Sequence, residues 1–169
     1  SYLQFRYGLH QRDGELGGFE AMPLVDEDLM HICRADSSTR PQGPSITLGA
    51  ALGSTLILPA QQHGVRPLIE QAAASAGLAL TKLIEINSIA ILKSALLADM
   101  GATLLPLAPL RTEIESGLLA ATPIENPPIR RSVTLCASRN IPLTNAAAAI
   151  RSLVRQVTAT LCANGGWPG

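Results

Sequence analysis

Aromatic side chains are scarce in this chain, with two Phe, two Tyr and one Trp among 169 residues. With 47% of the residues apolar, any interior must be built from Leu, Ile, Val and Ala. Only three cysteines occur, Cys33, Cys136 and Cys162, and none stands in a Cys-x-x-Cys pair or beside a histidine. That spacing excludes a disulfide framework and a metal knuckle, and predicts buried or incidental thiols in a reducing, cytoplasmic setting. An excess of either charge is missing too. Lys plus Arg and Asp plus Glu both number 13, so no bulk positive field draws nucleic acid to these residues. No apolar run reaches the roughly 18 residues that a membrane span needs. The opening Ser1–Arg6 is not a basic stretch followed by an apolar one, so no export signal is expected. Catalytic signatures are also absent: there is no Gly-x-Ser-x-Gly, no glycine-rich phosphate loop and no His-Glu-x-x-His. His10, His31 and His63 each lack a second metal ligand at coordination spacing. The expectation is therefore no catalytic residue, no metal and no cofactor.

What is present is an alternation of short apolar runs and longer periodic ones, the pattern of an α/β protein with crossover helices. Strands are expected at 3–9, 29–33, 55–58, 83–86, 102–105 and 132–137. Several of these are apolar at consecutive positions, as strands covered on both faces should be. A helix is expected over 65–76, where Val65, Leu68, Ile69, Ala72, Ala73 and Ala76 share one face, Pro67 suits the first turn and Gly77 the stop. A second covers 89–98, with Ile89, Leu92, Leu96 and Leu97 on one side and Asn87 or Ser88 as its N-cap. A weaker helix spans 109–116. The last runs over 145–161, with Ala146, Ile150, Leu153, Val157 and Leu161 facing inward and Arg151 and Arg155 outward. The tail 163–169 has no period and is expected to fray.

Two polar, proline-bearing loops punctuate the chain: Asp36-Ser37-Ser38-Thr39-Arg40-Pro41-Gln42-Gly43-Pro44 and Glu125-Asn126-Pro127-Pro128. They bracket one lobe, residues 36–126, inserted between the two halves of another, 1–35 and 127–169. Two connections crossing at one place form a hinge.

An ordered set of short segments then resembles a known family. Phe19-Glu20-Ala21-Met22-Pro23-Leu24-Val25-Asp26-Glu27-Asp28-Leu29 is followed by Thr55-Leu56-Ile57-Leu58-Pro59, His63-Gly64-Val65-Arg66 and Ala76-Gly77-Leu78. Glu85-Ile86-Asn87-Ser88 and Gly101-Ala102-Thr103-Leu104-Leu105-Pro106 complete it. In order and spacing these segments resemble the effector-binding domain of LysR-type transcription regulators across nearly the whole chain. The resemblance implies a two-lobe, periplasmic-binding-protein-like α/β fold with lobe 1 incomplete, about 50 family residues having no counterpart ahead of Ser1. It implies a small-molecule effector held between the lobes, a homo-oligomer, and DNA contact only through a separate N-terminal helix-turn-helix domain. Two positions depart from the family pattern. Arg6 stands where a small apolar residue is usual and must reach solvent or a carboxylate. Asp99 stands where a helix-ending Gly is usual, so a left-handed cap there carries mild strain.

In open α/β sheets ligands lie beyond the carboxyl ends of strands, at the starts of the following helices. Two such junctions are legible, Gln62-His63-Gly64-Val65 after one strand and Asn87-Ser88 after the next. Free amide groups there favour a carboxylate, sulfate or phosphate. These six residues are the expected effector contacts, and Glu85 is expected to pair with Arg66. Two other classes remain open: a solute-binding protein of the same architecture, and a small α/β enzyme. An export signal would favour the first and a convergent acid–base pair in the cleft the second.

Overall fold

The computed structural model describes residues 3–8 (backbone only), 18–60, 64–140, 142 and 144–167. The first elements are strands β1 (Leu3–Gly8), β2 (Phe19–Asp28), β3 (Met30–Arg34) and β4 (Ile46–Thr47), then helix α1 (Leu48–Gly53). Next come β5 (Leu56–Leu58), α2 (Arg66–Ser75), β6 (Leu83–Glu85), α3 (Ile89–Leu97) and β7 (Thr103–Leu105). A 3-10 turn (Ala108–Leu110) leads into α4 (Arg111–Glu115), β8 (Leu119–Glu125), β9 (Arg130–Ser138) and α5 (Asn145–Ala163). The chain divides into two compact units, Asp28–Arg130, and Ser1–Glu27 with Arg131–Gly169. The division falls inside or beside the long strands β2 and β9, not at the proline loops near 36 and 126.

The unit Asp28–Arg130 is built on two sheets, β4-β8-β3-β7 and β5-β6. A single parallel bridge joins them: Ala102 N–H donates to Thr55 O at 2.9 Å, and Ile57 N–H to Ala102 O at 2.7 Å. The result is six strands in the order β4-β8-β3-β7-β5-β6. The sheet is mixed, because β3 runs antiparallel to both β7 and β8 while β4 and β8, and β5 and β6, are parallel. Strands β5 and β7 are buried along their whole length, as the uninterrupted apolar runs predict. Ile57, Ile69, Leu96, Leu104 and Leu110 are fully buried in one apolar cluster. Each such side chain contributes about 1.5–3 kcal/mol by leaving water, so the cluster needs no aromatic ring to hold the unit together. Cys33 lies in the same cluster, and burial pushes its thiol up, away from reactivity.

Helix α3 ends as its sequence implies. Asp99 adopts φ 57, and the Met100 N–H reaches back to Ala95 O at 3.1 Å. The left-handed cap therefore persists with aspartate in place of glycine.

His31, on β3, is 1% exposed and sits 3.4 Å from Ser54 Oγ through Nε2, while its Nδ1 has no hydrogen-bond partner among the described residues. Burial pushes its pKa from 6.5 down to about 4. The folded chain therefore binds this proton less readily than the unfolded chain does. Stability from a neutral His31 is complete above pH 6.5 and is lost as pH falls from 6.5 toward 4, by about 3 kcal/mol at most. Urea midpoints measured across that window should decline for the parent chain. The decline should flatten in His31→Asn, and an equal slope in both would remove His31 as the cause.

The other unit holds a three-stranded sheet, β1-β9-β2, with β1 antiparallel to β9 from Leu3↔Ala137 to Gly8↔Ser132. The Arg6 side chain lies outside the described residues. On β9, Val133, Leu135, Cys136 and Ala137 are buried. Helix α5 is capped by Thr144, whose hydroxyl accepts the Ala147 N–H at 3.2 Å. Its buried and half-buried face is Ala147, Arg151, Val154, Thr158 and Cys162. The expected inward stripe is wrong, because Ile150, Leu153, Val157 and Leu161 are 38–59% exposed. Arg151, expected outward and solvated, donates to Glu20 at 2.9 Å. Ala147 and Thr158 are the buried residues of the helix instead. The tail also departs from expectation. Trp167 Nε1–H donates to Glu27 Oε1 at 2.6 Å, and the Trp167 backbone N–H to Leu161 O at 3.0 Å.

Candidate functional site

Strands β5 and β6 are adjacent and parallel, with Leu58 opposite Glu85, so their carboxyl ends share one edge of the sheet. In chain order β5 precedes α2 and β6 precedes α3. Two contacts tie the turns together: the Ile86 N–H donates to Leu58 O at 3.0 Å, and the Ala60 N–H to Asn87 Oδ1 at 2.8 Å. These contacts join the segment just after β5 to the turn that starts α3.

Ser88, not Asn87, caps α3. It holds extended backbone angles and its Oγ accepts the Ile91 N–H at 3.5 Å. Asn87 spends its carboxamide oxygen on Ala60, leaving its NH2 group as a donor. At α2 the cap position is Val65, which supplies no side-chain bond to the first turn. Helix α2 therefore begins with amide donors that no side-chain cap answers, and with partial positive charge. Gly64 precedes it at φ 25, a left-handed value that glycine reaches without a Cβ penalty. Val65 is 4% exposed and packs into the core, so only its backbone can face a ligand. Gln62 and His63 lie outside the described residues.

The pairing expected between Arg66 and Glu85 is not formed. Arg66 Nε donates to Glu70 Oε1 at 2.7 Å, one turn along the same helix, and Glu85 is exposed. A partner at i+4 is in reach whenever the helix forms, whereas Glu85 belongs to another strand. Arg66 is 6% exposed, and its Nη1 has no hydrogen-bond partner among the described residues. Sequence reasoning treated it as half of a structural pair. Its position between Val65 and the core residues Leu68 and Ile69 was the signal that it would be drawn inside. The Arg66 guanidinium is answered by the Glu70 carboxylate one turn along, so the pair adds no net charge at this edge. The described residues of the junctions supply backbone and carboxamide donors, with the Glu85 carboxylate exposed at the end of β6.

The sequence matches the LysR substrate binding domain family over residues 6–159. Among solved structures it is similar to the regulatory domain of CcmR from Synechocystis PCC6803, in complex with 2-PG. That match has 19% identity and a TM-score of 0.76, covering 92% of this chain and 73% of that one. It is also similar to the effector-binding domain of QuiR in complex with shikimate, at 16% identity and TM-score 0.74, covering 92% and 72%. The full-length HypT of Salmonella typhimurium matches at 18% identity and TM-score 0.66, over 94% of this chain and 52% of that one. No functionally curated protein matches the sequence.

Proposed function

This chain belongs to the LysR substrate-binding-domain family and is the effector-binding domain of a LysR-type regulator, not an enzyme, and we propose that its effector is a small anion held on the β5/β6 edge. The observation that carries this reading is the Ala60–Asn87 hydrogen bond, which joins the segment after β5 to the turn that starts α3. The uncapped first turn of α2, the Asn87 NH2 group and the exposed Ser88 are the groups we assign to the effector. A carboxylate, sulfate or phosphate is the ligand class that N–H groups at a helix start favour. Gln62 and His63 stay in the proposed site on the strength of their sequence position between β5 and α2. That CcmR and QuiR were solved with small ligands supports a small molecule here as well. DNA contact is assigned to a separate N-terminal domain of the regulator, in keeping with the zero net charge of this chain. The effector then acts by its differential affinity for two states of the regulator, typically about 1–3 kcal/mol of coupling.

Calorimetry of this chain with a panel of small carboxylates, sulfates and phosphates tests the proposal. At least one anion should bind, and Asn87→Ala should weaken it about ten-fold, the loss of one charge-assisted hydrogen bond. Silence across the whole panel, or an Asn87→Ala variant that binds as tightly as the parent, would sink the reading.

A further inference from the structure

We propose that the unit Asp28–Arg130 carries a second small-molecule site, on the outer edge of β8, that takes a small hydroxycarboxylate. It is separate from the β5/β6 edge and does not rest on it. A cavity of about 560 Å³ lies here, walled by the loop from Ala35 to Pro44 and floored by Ala121 and Thr122 of β8. That volume is within the range of small-molecule sites, about 300–1,000 Å³.

The register of β8 explains why the floor is polar. Ala35 N–H donates to Leu118 O, so this pair is hydrogen-bonded across the ladder. Counting along the antiparallel register, Arg34↔Leu119, Ile32↔Ala121 and Met30↔Pro123 are then the non-hydrogen-bonded pairs. Pro123, which has no N–H to give, suits such a position. The N–H and C=O of Ala121 therefore point away from β3, toward the side on which β4 lies. Strand β4 covers only Ile124 and Glu125 there. The amide and carbonyl of Ala121 are left facing the cavity, one donor and one acceptor on a strand edge.

The wall is rigid before anything binds. Ser37 N–H donates to Arg34 O and Arg40 N–H to Ser37 O. The Ser37 hydroxyl meets that of Thr39 at 2.9 Å and accepts the Thr39 N–H at 3.2 Å. Gln42 Nε2 donates to Arg40 O at 3.1 Å, and Pro41 and Pro44 restrict the backbone further. A wall already ordered loses little entropy on binding. Charge then selects the ligand. Arg34 lies between two acids, Asp36 at 2.5 Å and Asp99 at 3.5 Å, whereas Arg40 is in none of the ion pairs among the described residues. Its Nη1 holds Ala35 O at 3.0 Å, and the rest of the guanidinium remains to receive an anion. With the hydroxyls of Ser37 and Thr122 and the Ala121 edge nearby, the complement is one carboxylate flanked by hydroxyl groups.

Titration of the 15N-labelled chain with glycerate, lactate and acetate, followed by NMR, tests this. Glycerate should shift the amides of Ser37, Ala121 and Thr122 saturably, and acetate should bind several-fold more weakly. Arg40→Gln should weaken glycerate at least about ten-fold. Thr122→Val, which keeps the shape and removes the hydroxyl, should narrow the gap between glycerate and acetate. Asn87→Ala should leave these shifts unchanged. Shifts confined to Ala60 and residues 87–91, no saturable shift at β8, or equal binding by the parent, Arg40→Gln and Thr122→Val chains would overturn the proposal.

Discussion

Gly101→Ala is expected to destabilise the unit Asp28–Arg130 by about 3 kcal/mol or more, far beyond the usual cost of a methyl group. A Cβ at Gly101 would lie 2.3 Å from Thr55 O and 3.2 Å from Thr55 C, both backbone atoms that cannot swing aside. Thr55 O is also the acceptor for Ala102 N–H in the bridge between β7 and β5. The methyl group would push apart the one place where the two sheets are joined. Relief by backbone movement would uncover Leu56, Ile57 and Leu104, which are at most 1% exposed. Urea unfolding followed by far-ultraviolet circular dichroism checks this. An unchanged midpoint would show that the bridge yields freely and that six strands do not act as one sheet.

Glu27→Ala should cost about 3 kcal/mol, because it removes the buried carboxylate that receives both the Arg131 and the Trp167 donors. The Glu27 side chain is 1% exposed and lies 2.5 Å from Arg131 Nε, itself 15% exposed, while its other oxygen accepts the Trp167 indole N–H. Without the carboxylate the guanidinium loses its buried counter-charge and the tail loses its anchor. Trp167 is the sole tryptophan, so its fluorescence reads this site alone. Emission should move to longer wavelength in Glu27→Ala together with the loss of stability. Trp167→Phe should cost only about 1 kcal/mol, one hydrogen bond, because Arg131 keeps its partner. Parent-like emission and stability in Glu27→Ala would show that the tail is held elsewhere.

Much of the fold could be read where a single period dominates. Helices α2 and α3 lie within a residue of their expected bounds because their apolar positions repeat at helical spacing and Gly77 and Asp99 supply left-handed stops, at φ 66 and φ 57. Strand β2 was missed because its acids, among them Glu20, Asp26, Glu27 and Asp28, give it the composition of a loop. Their partners, Arg151, Ser132, Arg131 and Arg130, lie more than 100 residues away, beyond any local signal. Strand β8 was hidden by Pro123, which a strand tolerates only where no N–H is required. Helix α1, at six residues, is too short to show a period. The α5 face was not legible because periodicity marks an apolar stripe without saying what covers it: Ile150, Leu153, Val157 and Leu161 are exposed, while Ala147 and Thr158 are buried.

At the β5/β6 edge, the sequence placed Asn87 and Ser88 at a helix start, because a strand followed by a capping residue is a local pattern. It could not reveal that Asn87 reaches Ala60, a contact that depends on two parallel strands lying side by side. Nor could it separate Val65, which turns inward, from the residues around it.

The two ends of the inserted segment meet within their own unit: Leu29 N–H donates to Ile129 O, and Arg130 Nε to Asp28 Oδ1 at 2.8 Å. A segment whose ends already touch can condense before the rest of the chain is settled. Bringing β2 and β9 together across a slack chain of about 100 residues would cost roughly 4 kcal/mol in loop closure. Once the segment between them has collapsed, those strands leave it side by side and that entropy has already been lost. Synthesis runs in the same order, since Asp28–Arg130 is made before Arg131–Gly169. The early strands wait for a late partner, and the insertion acts as the clamp that delivers it.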